Sequence, residues 1–147
     1  MTGAAHWCAG WIVGGVLTGD PALAFAAGLV ALAPDIDHPQ STISRRAPGS
    51  WLLRLILTHR GFTHSLAALA IAGAAGAALV PASWWLLIMA ALASHIVCDM
   101  MTPAGVPLLW PMPRRYRLLP RAAGPLVPAL EALLAVGAVV MFYQLLT

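Results

Sequence analysis

Charge is what this chain has least of. Only 9% of its 147 residues are charged, lysine is absent, glutamate occurs once, at Glu131, and all eight basic side chains are arginines. A soluble domain carries roughly a quarter charged residues, so a chain that is 61% hydrophobic falls outside that class. Its mean hydropathy of +0.84 implies that lipid solvates much of it, as in an integral membrane protein. Cysteine is equally sparse: Cys8 and Cys98 each sit in an apolar run at a spacing that fits no zinc or redox motif, which leaves them packing roles. No arginine precedes Arg45, so no ordinary secretory leader is expected. Residues 1–147 read as one membrane-embedded domain.

The arginines that do occur are clustered. Arg45, Arg46, Arg54 and Arg60 form one group, and Arg114, Arg115, Arg117 and Arg121 another. Beside apolar spans, such clusters predict cytoplasmic loops facing anionic lipid headgroups rather than nucleic-acid patches.

Hydropathy and turn residues divide the chain into an all-α, polytopic bundle of about five membrane helices. Thr18-Gly19-Asp20-Pro21 separates two short helices, Ala4 to Leu17 and Pro21 to Leu32, with Asp20 as an N-cap. Each is shorter than the roughly 20 residues of an untilted crossing, so a thin hairpin and a re-entrant pair are both open. Pro34 to Ser50 is a polar loop, and Trp51 to Thr58 suits a helix at the headgroup level. Thr63 to Val80 is a third helix, with a small face at Gly73 and Gly76 for close packing. Trp84 to Met101 is the fourth, opening on Trp84-Trp85 at an aromatic belt. Gly105 to Gly124 is the second arginine-bearing loop, and Pro125 to Leu146 the last span.

Two crossings separate the arginine loops, so both lie on one face, the cytoplasmic one by the positive-inside bias. This topology brings to the same face His6, Asp35, Asp37, His38, His59, His64, and the end of the fourth helix with His95 and Asp99. His95 and Asp99 are four apart and share a helix face. Asp35, Asp37 and His38 sit between Pro34 and Pro39, while His59 and His64 flank a glycine-containing turn.

Eight imidazoles and carboxylates exceed the four that one zinc requires, so two divalent ions are expected, zinc first, with manganese or iron suited to the same donors. Such a pair hydrolyses phosphate esters by acidifying a bridging water and clamping the attacking and leaving oxygens. Against this stands the view that buried histidines and aspartates only hydrogen-bond. Their gathering at one surface favours function, since uncompensated ionisable groups at membrane depth are costly. Glu131, about 9 Å into the last span, is a candidate ligand, base or arginine partner. Arg60 is a candidate for neutralising charge on a phosphoryl oxygen, or a headgroup and topology arginine. Thr63, Ser65 and Thr102 would orient ligands or cap helices.

Pro-Asp-Ile-Asp-His-Pro at 34–39, His-Arg-Gly-Phe-Thr-His-Ser at 59–65, the block from Ser94 to Pro111 and Tyr-Arg-Leu-Leu-Pro at 116–120 closely resemble the YdjM family of bacterial inner-membrane metal-dependent hydrolases. The order of histidines and aspartates is also similar to that of the zinc-dependent phospholipase C and P1 nuclease group. That likeness implies metal ligation by His6, Asp35, His38, His59, His64, His95 and Asp99, with Asp37 a ligand or a base. The chain opens on Met1 where that group has a zinc-binding tryptophan.

The resulting expectation is a metal-dependent hydrolase of the inner membrane, its dinuclear site facing the cytoplasm, whose metal-activated hydroxide attacks a lipid or lipid-linked phosphoester. The same chemistry would cleave amides or carboxylic esters, and a metal-stabilised scaffold or metal carrier is the non-catalytic alternative.

Overall fold

A computed structural model of the protein describes residues 1–37 and 61–147. The expected interfacial helix at Trp51 to Thr58 therefore lies outside the described residues, as do His38, His59 and Arg60. Among the described residues the fold is helical: α1 (Gly3–Thr18), α2 (Pro21–Val30), α3 (Leu66–Leu79), α4 (Ala82–Met100) and α5 (Val127–Leu146). Short 3₁₀ turns cover Ala33–Asp37, Phe62–His64 and Arg121–Leu126, and extended pairing is limited to one isolated bridge between Val106 and Tyr116.

Local chemistry sets the helix ends. The Thr2 hydroxyl accepts from the Ala5 amide at 3.3 Å to begin α1. Gly19, at φ 64°, ends the helix by donating to the Gly15 carbonyl, a left-handed conformation that favours glycine. The Asp20 carboxylate then accepts from the Ala22 and Leu23 amides at 2.7 and 3.0 Å, so the expected N-cap is present, with Pro21 in the first turn. Ser65 caps α3 by accepting from Ala68. Because the Phe62–His64 turn precedes that cap, α3 begins three residues later than hydropathy suggests.

Packing runs on small residues. A Cβ at Gly10 would lie 2.6 Å from the Ala31 Cβ, and one at Gly14 would lie 2.7 Å from the Ala27 Cβ. Only glycine at these positions lets α1 lie this close to α2. Ala27 and Ala31 in turn pack on Leu87 and Ala91 of α4. Trp11 of α1 packs with Ala24 of α2 and Ala138 of α5, with Met141 and Leu145 of α5 against them. The small face of α3 is filled by α4: Trp85 donates its indole N–H to the Gly73 carbonyl at 2.7 Å and covers Gly76. Trp85 is thus a packing residue, and Trp84, 47% exposed, is the one left facing outward.

Among the described residues two units are long and apolar enough to cross a membrane, α4 and the continuous stretch Arg121–Leu146. Only 6% of the apolar window in the second is buried. Leu133, Val136, Val139 and Tyr143 are all more than 60% exposed, which suits lipid rather than a protein interior. At 1.5 Å per residue α1 and α3 reach only about 24 and 21 Å, short of a core of roughly 30 Å.

Gly14→Leu should force α1 from α2 and lower stability by about 1–3 kcal/mol. Asp20→Ala should cost about 1 kcal/mol through its lost cap. Thermal melts of detergent-solubilised protein test both, and a Gly14→Leu variant as stable as wild type would show that the close approach is not needed.

Candidate metal centre

Four chain segments deliver side chains to one end of the bundle. His6 comes from the first turns of α1, Asp35 from the 3₁₀ turn after α2, His64 from the turn before α3, and His95 and Asp99 from the last turns of α4. Their side chains are fully buried except for Asp35, which is 15% exposed. Two groups, His6–His95–Asp99 and Asp35–His64–His95, have one ligand atom from each residue within 4.8 Å of the others. Both are spaced to hold a metal ion.

The distances test that fit. An ion bound tetrahedrally at about 2.0–2.1 Å sets its ligand atoms about 3.3–3.4 Å apart. His95 Nε2 lies 3.1 Å from His64 Nε2 and 3.8 Å from Asp35 Oδ1, and His64 Nε2 lies 3.5 Å from the same oxygen. Hydrogen bonds fix the rings. His95 Nδ1 lies 2.7 Å from the Ala31 carbonyl, which can only accept, so the proton is on Nδ1 and the lone pair of the neutral ring is on Nε2. His64 Nδ1 lies 2.9 Å from the Thr63 hydroxyl. Two Nε2 atoms thus meet at the centre of a buried, carboxylate-lined site.

The two groups share His95, which has only Nε2 left to offer. His6 stacks on His95 at 3.8 Å between ring centres and 18° from parallel, and in-plane lone pairs of stacked rings do not converge on one ion. His95 therefore belongs with His64 and Asp35. His6 instead directs Nε2 to Asp99 Oδ1 at 3.3 Å, and neither of its ring nitrogens has an aligned hydrogen-bond partner among the described residues. Asp99 spans both arrangements, with Oδ2 3.5 Å from His64 Nε2 and Oδ1 facing His6. The Met1 amino group also lies 2.8 Å from Asp99 Oδ1. Burial raises the Asp35 pKa, but the His64 hydrogen bond and the neighbouring imidazoles of His95, His6 and His64 outweigh it and hold the carboxyl at about 2, below its ordinary value.

The structure thus brings together His6, Asp35, His64, His95 and Asp99. Asp37 closes the turn that carries Asp35. Glu131 stands outside both groups; its carboxylate accepts from the Thr2 amide at 2.6 Å and ties α5 to the start of α1. Of the three hydroxyls, Thr63 bonds the His64 ring, Ser65 caps α3, and Thr102 donates to the Asp99 carbonyl at 2.8 Å. Sequence reasoning missed the Ala31 carbonyl. The available signal was the end of α2, since the last carbonyls of any helix lack intrahelical partners.

The family model for YdjM inner membrane protein matches residues 1–146. This chain belongs to the YdjM family. It is similar to the inner membrane proteins YdjM of Escherichia coli (strain K12) and Shigella flexneri, each 44% identical over 100 residues, covering 61% of this chain and 50% of theirs. It is also similar to the uncharacterized protein YvsG of Bacillus subtilis (strain 168), 36% identical over 130 residues, covering 80% of this chain and 78% of that one. The chain spans about half the length of the two YdjM relatives. No solved structure matches, so the likeness to phospholipase C and P1 nuclease rests on residue order alone.

Thr63→Val removes the hydroxyl beside His64 Nδ1. It should weaken divalent-ion affinity about 10–100-fold, as loss of an orienting partner does. Competition with a chromophoric chelator measures this, and an unchanged affinity would mean that Thr63 does not orient the ring.

Proposed function

We propose that this protein is a membrane-bound, metal-dependent phosphoesterase acting on a lipid or lipid-linked phosphate at the cytoplasmic face of a bacterial inner membrane. The observation that carries the reading is the convergence of five imidazole and carboxylate side chains, four fully buried, at one end of an otherwise apolar bundle. Donors that are all nitrogen and oxygen suit zinc, with manganese or iron as alternatives. The two faces of Asp99 support a pair of ions, and His38 and His59 would complete the ligand set. A divalent ion held there would polarise a phosphoryl oxygen and acidify a coordinated water.

The remaining work falls to the chain's own groups. Asp35, the partly exposed member of the set, marks the side open to substrate. Asp37 would serve as ligand or proton acceptor, and Glu131, half-buried and bonded to the Thr2 amide next to Met1, would hold or return a proton at the rim. Arg60 would neutralise charge on the phosphoryl oxygen. In the second arginine loop, Arg115 and Arg117 donate to the carbonyls of Gly105 and Pro103, and Arg114 lies over the Tyr116 ring. Their remaining N–H donors would hold anionic headgroups.

The loop follows α4 at the end that carries the ligands, which by the positive-inside bias supports a cytoplasmic site. The family description and the names of two relatives support the inner membrane. In this reading α4 and Arg121–Leu146 cross fully, and the three shorter helices complete a multi-pass bundle.

Elemental analysis of detergent-purified protein should find about two metal ions per chain. His64→Ala and Asp99→Ala should each lose metal and phospholipid hydrolysis together, by at least about tenfold, the scale of a lost ligand or its support. Asp20→Ala, a cap remote from the site, should keep both. Bound metal with no phosphate-containing product released would count against phosphoester chemistry and favour amide or ester hydrolysis, a scaffold or a carrier.

A further inference from the structure

An apolar groove of about 230 Å³ lies between α3 and α4, and one end of it is lined by chain neighbours of two candidate ligands. Ala33 and Pro34 at its head immediately precede Asp35, and Thr63 precedes His64. Below them the walls are hydrocarbon, from Leu69 and Ala72 on α3 and from Leu92 and Ile96 on α4. Among the described residues the only hydroxyl in the lining is that of Thr63, which bonds the His64 ring. The groove owes its depth to Ala68 and Ala72, which stand one turn apart, about 6 Å. On the outer side of α3, Ile71 is 61% exposed and Leu79 80%, so this helix faces lipid and the groove can be entered from the bilayer.

We propose that the α3–α4 groove takes one acyl chain of a membrane phospholipid and thereby sets the phosphate against the Asp35–His64 edge of the centre. Inside a bilayer an acyl chain is already in apolar surroundings, so hydrophobicity alone does not draw it into the groove. What the groove adds is position, because its Ala33, Pro34 and Thr63 end adjoins Asp35 and His64 in the chain. A hydrocarbon slot that meets buried metal-type donors matches an amphipathic molecule with its polar part at the tail's end. The proposal rests on the phosphoesterase reading for the fate of the phosphate, but not for occupancy of the groove.

The test uses the full chain in vesicles of phosphatidylethanolamine and phosphatidylglycerol containing a small fraction of phosphatidic acid with a diazirine on one acyl chain. After photolysis, peptide mass spectrometry should find adducts on the α3 and α4 peptides holding Leu69, Leu92 and Ile96, several-fold above those on the exposed flank of α5. Ala72→Trp, and the milder Ala68→Leu, should lower the groove adducts about fivefold or more while metal content and melting temperature stay at wild-type values. Groove labelling no stronger than that of α5, or unchanged in both variants, would overturn the proposal, whether another segment of this chain or nothing fills the space. Turnover of a water-soluble phosphodiester, bis(p-nitrophenyl) phosphate, is followed in parallel. A labelled groove without turnover would sink the phosphoesterase reading and leave the groove standing, and turnover without groove labelling would do the reverse.

Discussion

The hydrogen bond from His95 Nδ1 to the Ala31 carbonyl joins the last turns of α4 to the end of α2 in a fully buried setting. An unpaired carbonyl or imidazole in that place would cost about 1–3 kcal/mol, and the bond satisfies both at once. It also sets the tautomer of His95 and aims Nε2 at His64. The stacking of His6 and the approach of Asp35 take their geometry from that ring.

Ala27 and Ala31 of α2 pack against Leu87 and Ala91 of α4, which brings the two helices within reach of that bond, and α1 closes on α2 in the same way. Gly10 and Gly14 on α1, with Ala24, Ala27 and Ala31 on α2, remove the side chains that would hold the backbones apart. In lipid, where apolar side chains gain little by leaving their surroundings, such packing and the buried polar contacts carry much of helix association. The same economy leaves the outer faces of α3 and α5 rich in exposed leucine, isoleucine and valine. Among the described residues the buried ionisable side chains gather at one end of the bundle, in surroundings of low dielectric.

Several features are legible in the order of residues alone. The turn at Gly19-Asp20-Pro21 and its cap follow from backbone chemistry local to those residues. The ligand candidates His6, Asp35, His64, His95 and Asp99 stand out because histidine and aspartate are scarce in this chain, and a helical spacing of four puts the last two on one face of α4. Other features are not legible there. Trp85 reads as half of an interfacial pair, yet its indole turns inward to the Gly73 carbonyl, since α4 supplies the side chain that fills the small face of α3. Glu131 reads as an isolated intramembrane acid, yet it meets the Thr2 amide, a partner 129 residues away.

By itself the sequence determined that the chain is apolar and helical, where its first helices stop, and which residue types carry chemistry. These depend on composition, on local backbone preference and on short periodicities, all of which are properties of neighbouring residues. Only the tertiary structure decided that His95 pairs with His64 and Asp35 while stacking on His6, that Asp99 faces both arrangements, and that a main-chain carbonyl of α2 orients the central ring. Each of these joins residues far apart in the chain through distances of a few ångströms. Such distances are set by how closely the helices pack, which no local pattern records.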